Sequence, residues 1–155
     1  MYGTPIKNCE TATSQVKWNE IFIDVNWKKT YDLVFNISKD TYLQWFQTRI
    51  LHRILGVKSL QFRMNITSDN LCTFCNEHEE TLIHLFWECK YSKEIITYVS
   101  NILRQNKILP QTGITCQDLL LGVTKTRTHE INILFLEIKR FLYICKQKKT
   151  LQPKV

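Results

Sequence analysis

Most hydrophobic positions in this chain recur every three or four residues, the spacing that places them on one face of an α-helix. The first two sets comprise Trp18, Ile21, Phe22 and Val25, and then Trp27, Tyr31, Val34 and Phe35. The clearest helix is predicted over 38–55, where Ser38 or Asp40 can cap the start and Gly56 suits a left-handed stop. Its apolar stripe contains Leu43, Phe46, Ile50 and Ile54, widened by Tyr42, Leu51 and Leu55.

The pattern changes after this helix and then returns to helical spacing. A short extended segment is predicted between 57 and 71 by the alternation of Leu60, Phe62, Met64 and Ile66. A short helix is predicted over 80–87, and a longer one begins at a Ser92 cap and ends before Pro110. The last helix is predicted over 128–147 and is followed by a basic tail.

Composition favours one small helical domain. The chain has 155 residues, of which 44% are hydrophobic and 23% are charged, so it can bury a core of its own. Four glycines and three prolines are too few for the many turns of an all-β domain. We therefore predict a mostly α-helical domain over 15–150, with a frayed N-terminus at 1–14 and a loose tail at 151–155.

Targeting signals are not visible in the sequence. No hydrophobic run is long enough to span a membrane, and the N-terminal segment lacks the charged start and apolar block of a secretory signal. We expect an intracellular protein, nuclear or cytoplasmic, that is not secreted. We expect neither a membrane nor a small-molecule substrate among its partners.

Cysteine and histidine are concentrated in the segment 71–89, with the spacing Cys72-x2-Cys75-x8-His84-x4-Cys89. Two cysteines three residues apart can direct both sulfurs at one point, and the second pair completes a tetrahedron. Three sulfurs and one imidazole favour Zn²⁺ over an iron–sulfur cluster, which usually takes four cysteines. His78 is an alternative ligand to His84, and another alternative is that these cysteines are small core residues without a metal. The remaining cysteines lie far apart in sequence, which favours a reduced chain over three disulfides.

The step of five residues between His84 and Cys89 constrains the local structure. On a continuous α-helix the two side chains would point about 140° apart. Both can reach one metal only if the helix ends near Trp87 or Glu88 and the chain then turns. Because protein ligands fill all four positions, no position is open for a catalytic water, and the zinc is expected to be structural. We hypothesise that it docks the 38–55 helix to the 92–105 helix.

The net charge of +7 is unevenly distributed, with +3 over 1–70, −3 over 71–90 and +7 over 91–155. A nucleic acid would therefore meet the flanks of the cysteine segment and not the segment itself. The candidate contacts on the first clear helix are Trp45, Arg49, His52 and Arg53, of which the last three have the spacing of one helical face. The candidates on and beyond the last helix are Lys139, Arg140, Lys146, Lys148 and Lys149. The alternative is that Trp45 belongs to the core and that these charges only solvate helices and complement a helix dipole.

Four stretches of the sequence, WFQTRILHRILG, CTFCNEHEETLIHLFWEC, DLLLGV and FLEIKRFLYICKQK, follow one another in this order. Together they resemble the C-terminal zinc-binding region of reverse transcriptases from non-long-terminal-repeat (LINE-type) retrotransposons. The most specific part of the resemblance comprises Cys72, Cys75, Glu80, Thr81, His84, Leu85, Phe86 and Cys89. The resemblance implies zinc ligation by Cys72, Cys75, His84 and Cys89. It also implies RNA or DNA as a partner, bound with little sequence specificity, beside a polymerase domain.

Catalytic residues for nucleotidyl transfer are not found in the sequence. That reaction needs carboxylates that hold two Mg²⁺ ions, and polymerases of the resembled kind carry an Asp-Asp pair, which this chain lacks. We therefore expect a non-enzymatic fragment or remnant of a larger polyprotein. The first functional hypothesis is an accessory nucleic-acid-binding region of a retrotransposon reverse transcriptase, and the alternative is a zinc-stabilised helical protein-docking module.

Overall fold

Seven α-helices account for most of the residues that the computed structural model describes, which are 11–108, 113–124 and 128–149. They are α1 (Thr13–Asn19), α2 (Trp27–Ile37), α3 (Thr41–Leu51), α4 (Lys58–Arg63), α5 (Lys90–Gln105), α6 (Cys116–Leu121) and α7 (His129–Lys148). One turn of π-helix, His84–Glu88, precedes α5. Within the described ranges the β-pairing is limited to an isolated antiparallel bridge between Leu71 and Glu79. The predicted mostly α-helical class is confirmed.

The ends of the predicted domain fall partly outside the described residues. Residues 1–10 and 151–155 belong to that undescribed part, whereas Thr13 and Ser14, which were expected to fray, already belong to α1. None of the helices in the described ranges has the length and apolar character needed to cross a membrane.

The core forms where α2, α3, α6 and α7 pack against one another, and the π-helical turn packs on α5 and α7. Its largest fully buried aromatic side chains are Trp18, Phe74, Phe86 and Phe135. Phe86 of the π-helical turn meets Phe46 of α3 edge to face, with ring centroids 6.5 Å apart. The indole N–H of Trp18 donates to the Leu51 carbonyl at 2.9 Å, which attaches α1 to the end of α3.

The helix predicted over 38–55 ends about one turn earlier than expected, because Arg53 adopts a left-handed backbone conformation with φ 57°. The Arg53 N–H donates to the Ile50 carbonyl at 3.0 Å, and the Ile54 N–H donates to the Arg49 carbonyl at 2.9 Å. These two bonds form a Schellman motif with Arg53 in the position that glycine usually occupies. Gly56, which was predicted to hold that position, has no positive φ.

The prediction of an extended segment between 57 and 71 is wrong, because residues 58–63 form α4. The Lys58 N–H at the start of this helix donates to the Glu80 carboxylate at 2.9 Å. An alternating pattern buries one face only where a neighbouring strand is available, and the described residues contain none. Phe62, Met64 and Ile66 are consequently 44%, 61% and 63% exposed.

The start of α5 also differs from the prediction. The helix begins at Lys90, with Cys89 as an extended N-cap residue, so Ser92 lies inside the helix. The Ser92 side chain is buried and its hydroxyl donates to the Leu85 carbonyl at 2.6 Å, which joins α5 to the π-helical turn. The last helix, α7, matches its predicted bounds to within one residue at each end.

Candidate metal centre

The first two cysteines lie on a tight turn held by backbone hydrogen bonds. The Cys72 N–H donates to the His78 carbonyl at 2.7 Å, and the Asn76 N–H donates to the Cys72 carbonyl at 2.8 Å. The backbone N–H of Phe74 donates a hydrogen bond to the Cys72 sulfur, with 3.4 Å between nitrogen and sulfur. Asn76 takes a φ of 56°, a left-handed conformation that asparagine tolerates better than most residues. The turn therefore presents the sulfurs of Cys72 and Cys75 to one point.

His84 and Cys89 are brought together by the π-helical turn. The Cys89 N–H donates to the His84 carbonyl at 2.8 Å, which is the i to i+5 bond of a π-helix. The Thr81 hydroxyl oxygen accepts the His84 N–H at 3.0 Å and caps the turn. The helix ends at Glu88 and Cys89 is extended, as the five-residue spacing requires for two ligands of one metal.

The four predicted ligand atoms converge, since all of them lie within 4.8 Å of one another. The sulfurs of Cys72 and Cys89 are 3.9 Å apart, and the Cys75 sulfur is 3.4 Å from Nε2 of His84. Around a tetrahedral zinc with Zn–S of about 2.3 Å and Zn–N of about 2.1 Å, these edges would be about 3.8 Å and about 3.6 Å. The donor set and its geometry therefore fit a structural Zn²⁺ ion.

The surroundings of His84 suit a neutral metal-binding imidazole. Burial, and secondarily the charge of His78, lower the pKa of His84, and a metal ligand must be deprotonated. Its other ring nitrogen, Nδ1, lies 3.9 Å from the Glu88 carboxylate, which can fix the orientation of the ring. The His78 ring stacks on that of His84 at 5.4 Å but groups with Cys75 and Glu77, away from the other two cysteines. The structure thus places His84, and not His78, beside all three sulfurs.

The thiols of Cys72 and Cys89 lie within hydrogen-bonding distance of each other. The hydrogen bond to Cys89, followed by burial, raises the pKa of the Cys72 thiol, and the same bond lowers the pKa of Cys89. A metal that takes both sulfurs as thiolates must release the proton between them. Zinc affinity is consequently expected to fall as the pH is lowered.

Glu80 is a site residue to which the sequence analysis assigned no structural role, although it lies in the most specific part of the family resemblance. Its side chain is 0% exposed. One carboxylate oxygen accepts the Lys58 N–H at 2.9 Å and lies 3.4 Å from Nζ of Lys146, while the other accepts the Thr73 N–H at 2.7 Å. Glu80 therefore connects the cysteine turn, the start of α4 and α7. The available signal was its position within the most specific part of the family resemblance.

Two of the predicted nucleic-acid contacts, Lys139 and Lys146, are contradicted by the structure. They are only 2% and 8% exposed, because they flank Leu142 on the buried side of α7. The ammonium group of Lys139 donates to the side-chain oxygen of Gln47 and to the Leu120 carbonyl. The ammonium group of Lys146 likewise has internal partners, the Gly56 carbonyl at 3.0 Å and the Glu80 carboxylate at 3.4 Å.

The remaining candidates on the first clear helix differ in exposure. Trp45 is 65% exposed, so it does not belong to the core, and Arg49 and His52 are exposed as well. Arg53 is half-buried, with its guanidinium carbon 4.5 Å from the ring centroid of Trp18. The prediction that Arg49, His52 and Arg53 share one helical face is wrong, because α3 ends before His52.

The candidates on α7 divide in the same way. Arg140 is half-buried, pairs with Glu137 at 3.3 Å, and places its guanidinium carbon 6.0 Å from the ring centroid of Tyr42 in α3. Lys148 and Lys149 are exposed at the end of the helix. Arg140 is therefore a partly exposed basic residue of α7 that lies beside α3, where Lys139 is buried.

The fold and the site together define a small helical domain with three cysteines and one histidine arranged for a structural zinc ion. A family model described as "zinc-binding in reverse transcriptase" matches residues 12–95, more than half of the chain. The chain therefore belongs to this family of reverse-transcriptase zinc-binding domains, which are non-catalytic. The match includes all four metal-site residues and ends within α5. No curated protein and no solved structure was matched.

Proposed function

We propose that this chain is an accessory nucleic-acid-binding region of a LINE-type retrotransposon reverse transcriptase and acts beside a polymerase domain. In this proposal Cys72, Cys75, His84 and Cys89 bind one Zn²⁺ ion that stabilises the fold. The family match supports the association with a reverse transcriptase. The nucleic-acid-binding part of the proposal depends on an exposed surface where α3 meets α7.

This surface, the aromatic–basic face, consists of Tyr42, Trp45 and Arg49 of α3 and Arg140 of α7. The three α3 positions are three and four residues apart, so they follow one side of the helix. Tyr42 and Trp45 are 53% and 65% exposed, although large aromatic side chains are normally buried. Exposed rings beside guanidinium groups suit the stacking of unpaired bases, which contributes about 1–3 kcal/mol per base, and contacts to phosphate. This combination is the observation that carries the proposal.

The charge of the zinc segment, defined as residues 71–91, supports a structural role for the metal and nucleic-acid binding elsewhere on the domain. Glu77, Glu79 and Glu88 are exposed on it, and three thiolates on one zinc ion add a further negative charge. Two lysines, Lys90 and Lys93, lie beside the metal site, and Lys90 is paired with Glu77 at 2.7 Å. We infer that nucleic acid contacts the aromatic–basic face and that the metal stabilises the fold without contacting nucleic acid.

The proposal is tested by fluorescence anisotropy of zinc-loaded protein with labelled single-stranded RNA and DNA of about 20 nucleotides. Trp45→Ala should weaken binding roughly 5- to 150-fold, the equivalent of one lost stacking contact. Tyr98→Ala is the matched control, since Tyr98 is 69% exposed on α5, and it should leave affinity unchanged. Affinity should also fall steeply between about 50 and 200 mM salt as phosphate contacts release counterions. Equal effects of the two substitutions, or binding without salt dependence, would refute the proposal.

A second candidate function is protein docking, and the exposed apolar residues of α4 and the turn after it favour it. No side chain of α4 is buried, and Phe62, Met64 and Ile66 remain in contact with solvent. The polymerase domain encoded by the same retrotransposon is the expected partner in this case. Serine at all three positions should abolish association with that domain in a pull-down while leaving RNA affinity intact. Loss of RNA affinity instead would assign these residues to the nucleic-acid surface.

A further inference from the structure

A second basic surface lies beyond the end of α3, in a cleft of about 420 Å³. It is lined by Thr13, Ser14, Lys17, His52, Arg53, Ile54, Leu60 and Arg63. Three cationic side chains and one histidine therefore meet in one cavity, and no acidic residue of the described ranges lines it. Glu79 lines the neighbouring cavity, which shares Arg53 and Arg63 with this one. Its volume lies within the range of about 300–1,000 Å³ that is usual for small-ligand sites.

The guanidinium group of Arg53 is held in place and yet incompletely paired. The Schellman motif at the end of α3 fixes its backbone, and its stacking on Trp18 fixes its side chain. Among the described residues, no hydrogen-bond acceptor lies within reach of its buried Nη1 atom. Buried donors nearly always have a partner, so this atom is an unusual one whose acceptor does not come from the described residues.

The charges around Arg53 favour an anion in the cleft. Burial, and secondarily the charge of Arg63, lower the pKa of Arg53, so the two guanidinium groups repel each other. Glu20 acts on Arg53 in the opposite direction, but it does not line the cleft. An oxyanion between Arg53 and Arg63 would relieve the repulsion and accept hydrogen bonds from both guanidinium groups.

We propose that this cleft binds a phosphate group of a nucleic-acid backbone, held by Arg53 and Arg63 with Lys17 as a further positive charge. The inference rests on the proposed function but uses residues other than those of the aromatic–basic face. Its position supports a backbone phosphate as the ligand, because Arg49 of that face lies in the last turn of α3 and the cleft begins directly after it. A strand that stacks on Trp45 and follows α3, which is about 16 Å long, would reach the cleft.

The test compares the double variant K17Q/R63Q with the matched control K39Q/K107Q in the same anisotropy assay. All four residues are exposed, and the control residues do not line the cleft. K17Q/R63Q should weaken RNA and DNA binding roughly 5- to 8-fold near 0.1 M salt and reduce the salt slope by about 0.7–0.9, the values for one lost phosphate contact. The control should change affinity about threefold or less. Thermal unfolding should show both variants folded, with K17Q/R63Q no less stable than the wild type, because it removes a like charge near Arg53.

The possible outcomes separate this inference from the proposed function. The cleft proposal would be overturned if the two double variants had equal effects. It would also be overturned if K17Q/R63Q had no effect while Trp45→Ala still weakened binding, and the aromatic–basic face would then remain supported. Loss of binding in K17Q/R63Q without any effect of Trp45→Ala would support phosphate binding in the cleft and would refute base stacking on the aromatic–basic face. Stabilisation by millimolar inorganic phosphate in a protein that binds no oligonucleotide would overturn both, because the ligand would then be a free phosphate.

Discussion

Replacing Glu80 by glutamine tests whether a buried carboxylate connects the zinc segment to the rest of the fold. The Glu80 carboxylate accepts the backbone N–H groups of Lys58 and Thr73, at 2.9 and 2.7 Å, and lies 3.4 Å from Nζ of Lys146. Glutamine has nearly the same shape, but one of its terminal atoms is an NH₂ donor. In either orientation of the amide, a donor faces a backbone donor, and Lys146 loses its counter-charge inside the protein.

The size of the effect follows from these contacts. Removing one partner of a buried ion pair costs about 3–5 kcal/mol, and each hydrogen bond to a charged group contributes about 1.5–3 kcal/mol. The two costs describe overlapping contacts, so we expect Glu80→Gln to lower the free energy of unfolding by about 3–5 kcal/mol in total. Lys146→Met removes the other partner of the same pair, but Glu80 keeps both of its N–H donors, so we expect a cost at the lower end of that range, about 3 kcal/mol. The double variant should lose less than the sum of the two, with a coupling of about 0.5–3 kcal/mol.

Urea unfolding of zinc-loaded protein, followed by far-ultraviolet circular dichroism, measures these differences. For a domain of this size, a loss of 3 kcal/mol also lowers the midpoint of thermal unfolding by roughly 6–12 °C. Glu79→Gln is the matched control at the neighbouring exposed position and should change stability by about 0.5 kcal/mol or less. A Glu80→Gln protein within about 1 kcal/mol of the wild type, or strict additivity of the double variant, would refute the role assigned to Glu80.

Three further changes test the metal site and the core. His84→Ala should abolish the binding of one zinc per chain while His78→Ala preserves it, and equal metal loss measured by mass spectrometry would contradict the ligand assignment. Burial lowers the pKa of Lys139 from 10.5 to about 7, so the unfolded chain binds more protons between these values and the cost of burying this lysine shrinks as the pH rises. Relative to Lys139→Met, the wild type should therefore gain roughly 2–3 kcal/mol of stability between about pH 6 and 9 in urea unfolding, and parallel pH profiles would exclude this. Chelation of the zinc should lower helical content and the unfolding temperature, with recovery on reloading, whereas an unchanged melting curve would argue against a structural metal.

The metal site could be predicted from the sequence because its geometry depends on short-range spacing. A turn over four residues positions Cys72 and Cys75, and a five-residue step from His84 to Cys89 requires a break in the helix. The bounds of α7 were equally accessible, since its apolar residues recur over twenty positions. Such features depend on neighbours in the chain, which are visible in the sequence.

The features that escaped prediction depend on residues distant in sequence. Lys139 was assigned to the surface because of its charge, but its buried partners Gln47 and Leu120 come from α3 and α6. The early end of α3 depends on Arg53, which takes a left-handed conformation that costs most residues about 1–2 kcal/mol. Its contact with Trp18 of α1, 35 positions earlier, helps to offset this cost and could not be read from the local pattern.

Glu80 connects the zinc segment to helices that carry residues of both proposed nucleic-acid surfaces, although the segment belongs to neither surface. Thr73 lies within the cysteine turn and donates to Glu80, which also receives the first N–H of α4 from Lys58 and the ammonium group of Lys146 on α7. Helix α4 carries Arg63 of the cleft, and α7 carries one guanidinium of the aromatic–basic face. Removal of zinc from the wild type and the Glu80→Gln substitution should therefore weaken RNA binding equally when the two samples have lost the same amount of helix. A metal in direct contact with phosphate would instead make chelation the more damaging of the two.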